Sequence, residues 1–222
     1  MGSMANHGKT RKSFSKTGAS EDIPIFSTMS DTGATPAFNL VNHFLIAMPS
    51  MFDPVFGGTV VYLCEHNAQG ALGLIINKPT DMTMDVLFER IELELEIAPQ
   101  AGGNQPVMFG GPVQVERGFV LHSPPGAYSS SMRVTDAIAL TTSKDILEAA
   151  ATGKGPHKIL VALGCTGWSA GQLEEEIVRN GWLTVPADPA ILFDLPLEQR
   201  FAAAMKLLGI DPGMLAGVAG HA

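Results

Sequence analysis

The chain has 222 residues, 45% of them hydrophobic and 16% charged, with a net charge of −8 at neutral pH. That length and apolar content suffice for a sizeable buried core without disulfide or metal staples. The acidic balance argues against direct DNA binding, where contacts from Lys and Arg to phosphate supply most of the affinity; no apolar run approaches the roughly 20 residues of a membrane-spanning helix.

Residues 1–35 are rich in Ser, Thr, Gly, Lys and Asp and hold Lys9, Arg11, Lys12 and Lys16. They offer too little apolar surface to offset the entropy of ordering, so a disordered tail is expected. The opening Met-Gly-Ser-Met reads as a mis-assigned start, with Met29 as the alternative. Residues 36–222 are expected to form one domain. Strands are expected at Val41–Met48, Thr59–Glu65 and Ala71–Asn77, the last two joined as a hairpin through Asn67-Ala68-Gln69-Gly70. A helix starting at Thr80 or Asp81 places Val86, Leu87 and Ile91 at helical spacing. Ala98–Gln105 reads as a loop. Val107–Phe109 and Val115–His122 read as strands flanking a Gly110-Gly111-Pro112 turn, followed by short strands at Met132–Val134 and Ile138–Leu140.

Thr142 or Ser143 is placed to cap a helix through Ile146, Leu147 and Ala150, ended by Gly153. A buried strand follows at Ile159–Leu163, then a glycine-rich loop, a helix from Ser169 to Arg179, and short strands at Leu183–Val185 and Ile191–Phe193. The last helix starts near Pro196, buries Leu197, Phe201, Met205 and Leu208, and stops at Gly209. Hairpins outnumber βαβ units, which favours α+β with a mixed, largely antiparallel sheet.

Chemistry concentrates at Gly167-Trp168-Ser169-Ala170-Gly171, a G-x-S-x-G pattern of the kind that marks serine-hydrolase nucleophile elbows. An elbow needs the strand to run directly into the serine, and here it is expected to stop near Leu163. The matching acid and base would be Asp188 or Asp194 and the penultimate-region His221. A capping box explains more: Ser169 and Gln172 satisfy each other's backbone N–H, and Trp168 and Leu173 form a hydrophobic staple. Cys64 and Cys165, the two cysteines, end apolar runs and read as buried residues in a reducing cytoplasm. No apolar segment follows the basic N-terminal residues, so no secretory signal is expected. Cys64 and His66 share a strand face, but two ligands are too few for zinc, and no metal or cofactor is assigned. Asn77, Arg117 and His122 could line a polar pocket beside Gly110-Gly111-Pro112, and Trp168 and Gln172 a second contact point for a ligand or partner.

Several blocks together carry a family resemblance. Asn42-His43-Phe44-Leu45-Ile46-Ala47-Met48-Pro49, Gly73-Leu74-Ile75-Ile76-Asn77-Lys78-Pro79, Gly110-Gly111-Pro112-Val113, Arg117-Gly118-Phe119-Val120-Leu121-His122, Gly167-Trp168 with Gly171-Gln172-Leu173-Glu174, and Gly220-His221-Ala222 resemble, in order, the YqgE/AlgH family. The resemblance implies a bacterial cytoplasmic α+β protein whose bent sheet closes into a pseudo-barrel with helices outside. Some members carry the label of transcriptional regulator, and there is no established catalytic residue to carry over. It also implies that the Ser169 position need not be serine and that the Cys165 position often holds another residue. The expected function is non-enzymatic binding or regulation through a protein partner or small ligand. The alternative is a hydrolase or thiol-dependent enzyme using Ser169 or Cys165.

Overall fold

The computed structural model describes residues 39–48, 51–93 and 105–210. The expected tail at 1–35, the loop at Ala98–Gln105 except its last residue, and His221 lie outside them. In chain order the described elements are β1 (His43–Ala47), β2 (Val60–Asn67), β3 (Gly70–Ile75), β4 (Pro79–Thr83), α1 (Met84–Arg90), β5 (Pro106–Phe109), β6 (Val113–Ser123), β7 (Ser131–Arg133), β8 (Ala139–Thr141), α2 (Asp145–Ala151), β9 (Lys158–Ser169), α3 (Gln172–Val178), β10 (Trp182–Pro186), α4 (Pro189–Phe193) and α5 (Leu197–Leu207). The strands form one ten-stranded sheet in the order β10-β1-β2-β3-β9-β6-β8-β7, with β4 and β5 attached through β9. Its pairings are antiparallel except β5 with β9, and it curls into a half-barrel, an α+β fold.

The β2–β3 hairpin forms where expected. Asn67 pairs with Gly70, the Asn67 side chain accepts the Gln69 N–H at 2.8 Å, and Gly70 supplies a φ of +141°. Strand β9 is the hub. Its first half pairs with β6 on one side and with β5 on the other; its second half pairs with β3. A strand covered on both faces should read as a near-continuous apolar run, and Ile159–Leu163 does. β9 also joins two apolar clusters. Trp168 lies in one with Leu63, Leu173 and Trp182; Val161 lies in the other with Phe88 of α1 and Ile146 of α2.

Four expectations are corrected. First, β9 does not stop at Leu163. Thr166, Gly167, Trp168 and Ser169 pair with Gly73, Leu72, Ala71 and Gly70, so the apparent loop is strand. Its glycines permit close approach: a Cβ on Gly164 would meet the Gly111 carbonyl, and a Cβ on Gly111 the Cys165 carbonyl. Gly110-Gly111-Pro112 is therefore a crossing from one side of β9 to the other, not a hairpin turn. Second, Thr80 and Asp81 are strand. β4 pairs with β5, Thr80 Oγ1 donates to the Val107 carbonyl at 2.8 Å, and the helix begins only at Met84. β-branched threonines favour that pairing over a helical first turn.

Third, Ile191–Phe193 is helix. Asp188 accepts the Ala190 N–H at 2.8 Å and Pro189 occupies the first helical position, a start signal that outweighs the apolar triplet. Fourth, Thr142 and Ser143 do not cap α2; Ser143 Oγ instead donates to Asp145 Oδ1 at 2.6 Å. Gly153 and Gly209, at φ of +70° and +72°, follow α2 and α5 as stop residues.

Candidate functional site

The residues singled out in the sequence fall in three places. Asn77 braces the segment before β2, accepting the Val60 N–H at 2.9 Å and donating to the Gly58 carbonyl at 2.9 Å. Arg117 and His122 share β6. Arg117 donates to Thr142 Oγ1 at 3.1 Å and lies 5.9 Å from the centre of the Phe119 ring. His122 is fully buried, with Pro124 O at 3.0 Å from Nδ1 and Thr141 Oγ1 at 2.9 Å from Nε2, and the Tyr128 ring edge-on at 5.3 Å. Burial lowers its pKa, partly opposed by the Pro124 hydrogen bond.

Trp168 and Gln172 form the third place. Trp168 is 5% exposed, so it belongs to the core and is not the partly exposed anchor a docking role would need. Both indoles, Trp168 and Trp182, donate to Glu176 Oε2, at 2.9 and 2.8 Å, while Gln172 Nε2 donates to Glu176 Oε1 at 3.0 Å. Half of the expected capping box is present. Gln172 Oε1 accepts the Ser169 N–H at 3.0 Å, but Ser169 Oγ also turns to that oxygen, at 3.1 Å, and does not cap the helix. The N-cap of α3 is Gly171, at φ of +77°.

The strand does run directly into Ser169, which removes the topological objection to an elbow. Its chemistry points elsewhere. Gly171 takes the left-handed turn, so Ser169 carries no positive φ, and its hydroxyl is engaged by Gln172. Asp188 caps α4, and Asp194 is held by Lys158 at 2.6 Å. The nearby His66 is also occupied: Nδ1 accepts the Leu40 N–H at 3.1 Å and Nε2 meets Glu174 Oε1 at 3.0 Å. Both cysteines are free and buried. Burial pushes the Cys165 thiol up to about 11, with the Arg117 guanidinium opposing, and raises Cys64 as well. Among the described residues no cluster of three His, Cys, Asp or Glu could hold a metal ion.

A residue not singled out in the sequence is the one buried Lys or Arg among the described residues. Arg200, 7% exposed, donates from Nη1 to the Ile76 carbonyl at 2.6 Å and from Nε to the Leu195 carbonyl at 3.0 Å. It takes part in none of the ion pairs among the described residues. Burial lowers its pKa to about 10, which still leaves it charged at neutral pH. Arg200 lines a cavity of about 250 Å³ between α4–α5 and strands β5 and β9, whose other walls include Met84, Met108, Ile159, Phe193 and Leu197. A signal was present: Leu197, Phe201, Ala204 and Met205 mark the inward stripe of α5, and Arg200 interrupts it.

Comparison with known proteins agrees with the fold and with the family resemblance. The AlgH-like family model matches residues 44–213. A UPF0301 protein of Ralstonia nicotianae is 64% identical over 184 residues, covering 83% of this chain and 96% of that protein. A UPF0301 protein of Burkholderia vietnamiensis is 63% identical over 186 residues, with the same coverage of each. The solution structure of the AlgH protein from Pseudomonas aeruginosa is 47% identical and superposes with a TM-score of 0.68, covering 86% of this chain and all of that one. A crystal structure from Corynebacterium diphtheriae, 19% identical with a TM-score of 0.60 over 80% of this chain and 89% of its own, shares the fold. With a family model spanning most of its length and relatives above 60% identity, the chain belongs to the AlgH-like family.

Proposed function

We propose that the protein is a non-enzymatic binding protein that takes a small molecule in the cavity beneath α5. The observation that carries this reading is the cavity itself: mostly apolar side chains with a few polar ones, Arg200, Asp194 and Gln105, the usual composition of a small-ligand site. Its volume of about 250 Å³ falls just below the range for such sites, which begins at about 300 Å³, so the ligand is a small one. Support also comes from what surrounds the other candidates. Ser169, His66, His122 and Glu176 are each engaged in bonds that hold strands and helices together. A regulatory role would then run through a protein partner that senses the occupied state, since the acidic chain disfavours DNA. Two free, buried cysteines fit a cytoplasmic setting.

The test is a fragment screen read by methionine-methyl NMR. Met84 and Met108 line the cavity, whereas Met132 lies on β7. Ligands should shift the first two methyls and leave the third. A library that leaves Met84 and Met108 unmoved would reject the reading, as would stoichiometric fluorophosphonate labelling of Ser169.

A further inference from the structure

We propose that this cavity is a carboxylate site, in which Arg200 pairs with the acid group of a short amphipathic acid whose hydrocarbon part lies against Met108, Ile159 and Phe193. The inference rests on the binding reading above and names its ligand class.

The charge balance argues for an anion. A guanidinium this deeply buried loses most of its hydration, and a buried charge is ordinarily paired. Among the described residues Arg200 is offered only the dipoles of two carbonyls, Ile76 O and Leu195 O. Those bonds fix the plane of the fork and use two of its five N–H groups. Nη2 has no acceptor among the described residues. Arg200 itself lines the cavity. A planar, oriented fork with free donors suits a carboxylate.

Two further features agree. The wall includes Pro196 and Leu197, the N-cap and first residue of the 11-residue α5, so the positive end of that helix faces the same space. Asp194, also in the wall, has its charge opposed by Lys158 at 2.6 Å. Apart from Gln105 the remaining wall side chains are apolar, which favours a singly charged acid with an apolar body over a fully hydrated inorganic anion. At about 30 Å³ per water-sized group the space holds roughly eight non-hydrogen atoms, the size of a six-carbon acid.

Hexanoate and hexanamide, matched in shape and differing in charge, are titrated into the full chain and read by calorimetry and by the Met84 and Met108 methyls. Hexanoate should bind about tenfold or more tightly than hexanamide, the worth of one charge-assisted hydrogen-bonded pair. That preference should disappear in Arg200→Met, with circular dichroism confirming that the variant folds. If the variant does not fold, the comparison of the two ligands on the native chain decides alone. Equal binding of both ligands overturns the carboxylate assignment while leaving the cavity reading intact. Binding of neither overturns both. Inorganic phosphate competing as well as hexanoate, or a folded Arg200→Met that keeps the preference, also overturns it.

Discussion

Trp168 and Trp182, from strands β9 and β10, donate their indole N–H groups to the same carboxylate oxygen, Glu176 Oε2. Their rings meet edge to face with centroids 6.1 Å apart, and Phe56 stands edge-on to Trp182 at 5.6 Å. A helix of seven residues thereby holds two strands at different places in the sheet order. Each indole gains an acceptor inside a core where an orphaned N–H is costly.

Glu176→Gln should lower unfolding stability by about 1–3 kcal/mol, measured by urea denaturation. The amide has one acceptor oxygen where the carboxylate has two. Gln172 donates to Oε1 and both indoles to Oε2, so either orientation of the new amide leaves a donor unsatisfied. An unchanged midpoint would mean that the shared oxygen is dispensable.

Trp168→Ala should cost about 3–5 kcal/mol, because the side chain sits among Leu63, Ala71 and Leu173. A docking residue would leave the melting temperature nearly unchanged, so thermal unfolding separates the two roles.

Gly111→Ala should destabilise the protein by more than the roughly 1 kcal/mol of an ordinary glycine replacement. Gly111 has a φ of +150°, and its new Cβ would strike the carbonyl of Cys165 across the β5–β9 crossing. Gly118→Ala, where a Cβ would meet nothing within 4 Å, is the matched control and should be near neutral. Equal effects at both positions would remove the argument from backbone contact.

Iodoacetamide should label native Cys165 at pH 8 roughly a hundredfold more slowly than a free thiol of pKa about 8.5, with full reactivity returning in denaturant. The direction follows from burial, which holds the thiol up at about 11. Labelling faster than a free thiol would revive a thiol mechanism.

Acidification should weaken the fold through His122. Its folded pKa lies below the ordinary value near 6.5, so the unfolded chain binds the proton more readily. Stability contributed by the neutral ring is complete above about pH 6.5 and falls as pH drops below it toward the folded value. The slope from this one group is at most ~1.4 kcal/mol per pH unit. An NMR titration of the His122 ring checks the sign; a midpoint above 6.5 would contradict it.

Much of the fold was legible from local pattern. Apolar runs bounded by turn residues mark β1, β2, β3, β6 and the start of β9, and Asn67–Gly70 marks the hairpin, because side-chain periodicity and turn chemistry act over a few residues. The ordered blocks of residues pointed to the family. What the sequence alone misplaced depended on partners far along the chain. Gly164–Ser169 looks like loop because glycines are poor strand formers in isolation; pairing of Thr166–Ser169 with β3, some hundred residues earlier, and of Cys165 with Val113 of β6 makes it strand. Thr80 and Asp81 are strand because β5 is there to receive them.

The candidate site divides the same way. Gln172 reaching back to Ser169 is a contact three residues apart and could be read directly. Arg200 meets the Ile76 carbonyl across 124 residues, so its setting could not be read from spacing. A charge in an apolar helical stripe is visible in sequence. Whether it is paired, solvated or left facing a cavity is decided only when β3, α4 and α5 come together, since charge compensation depends on distance in space and not along the chain.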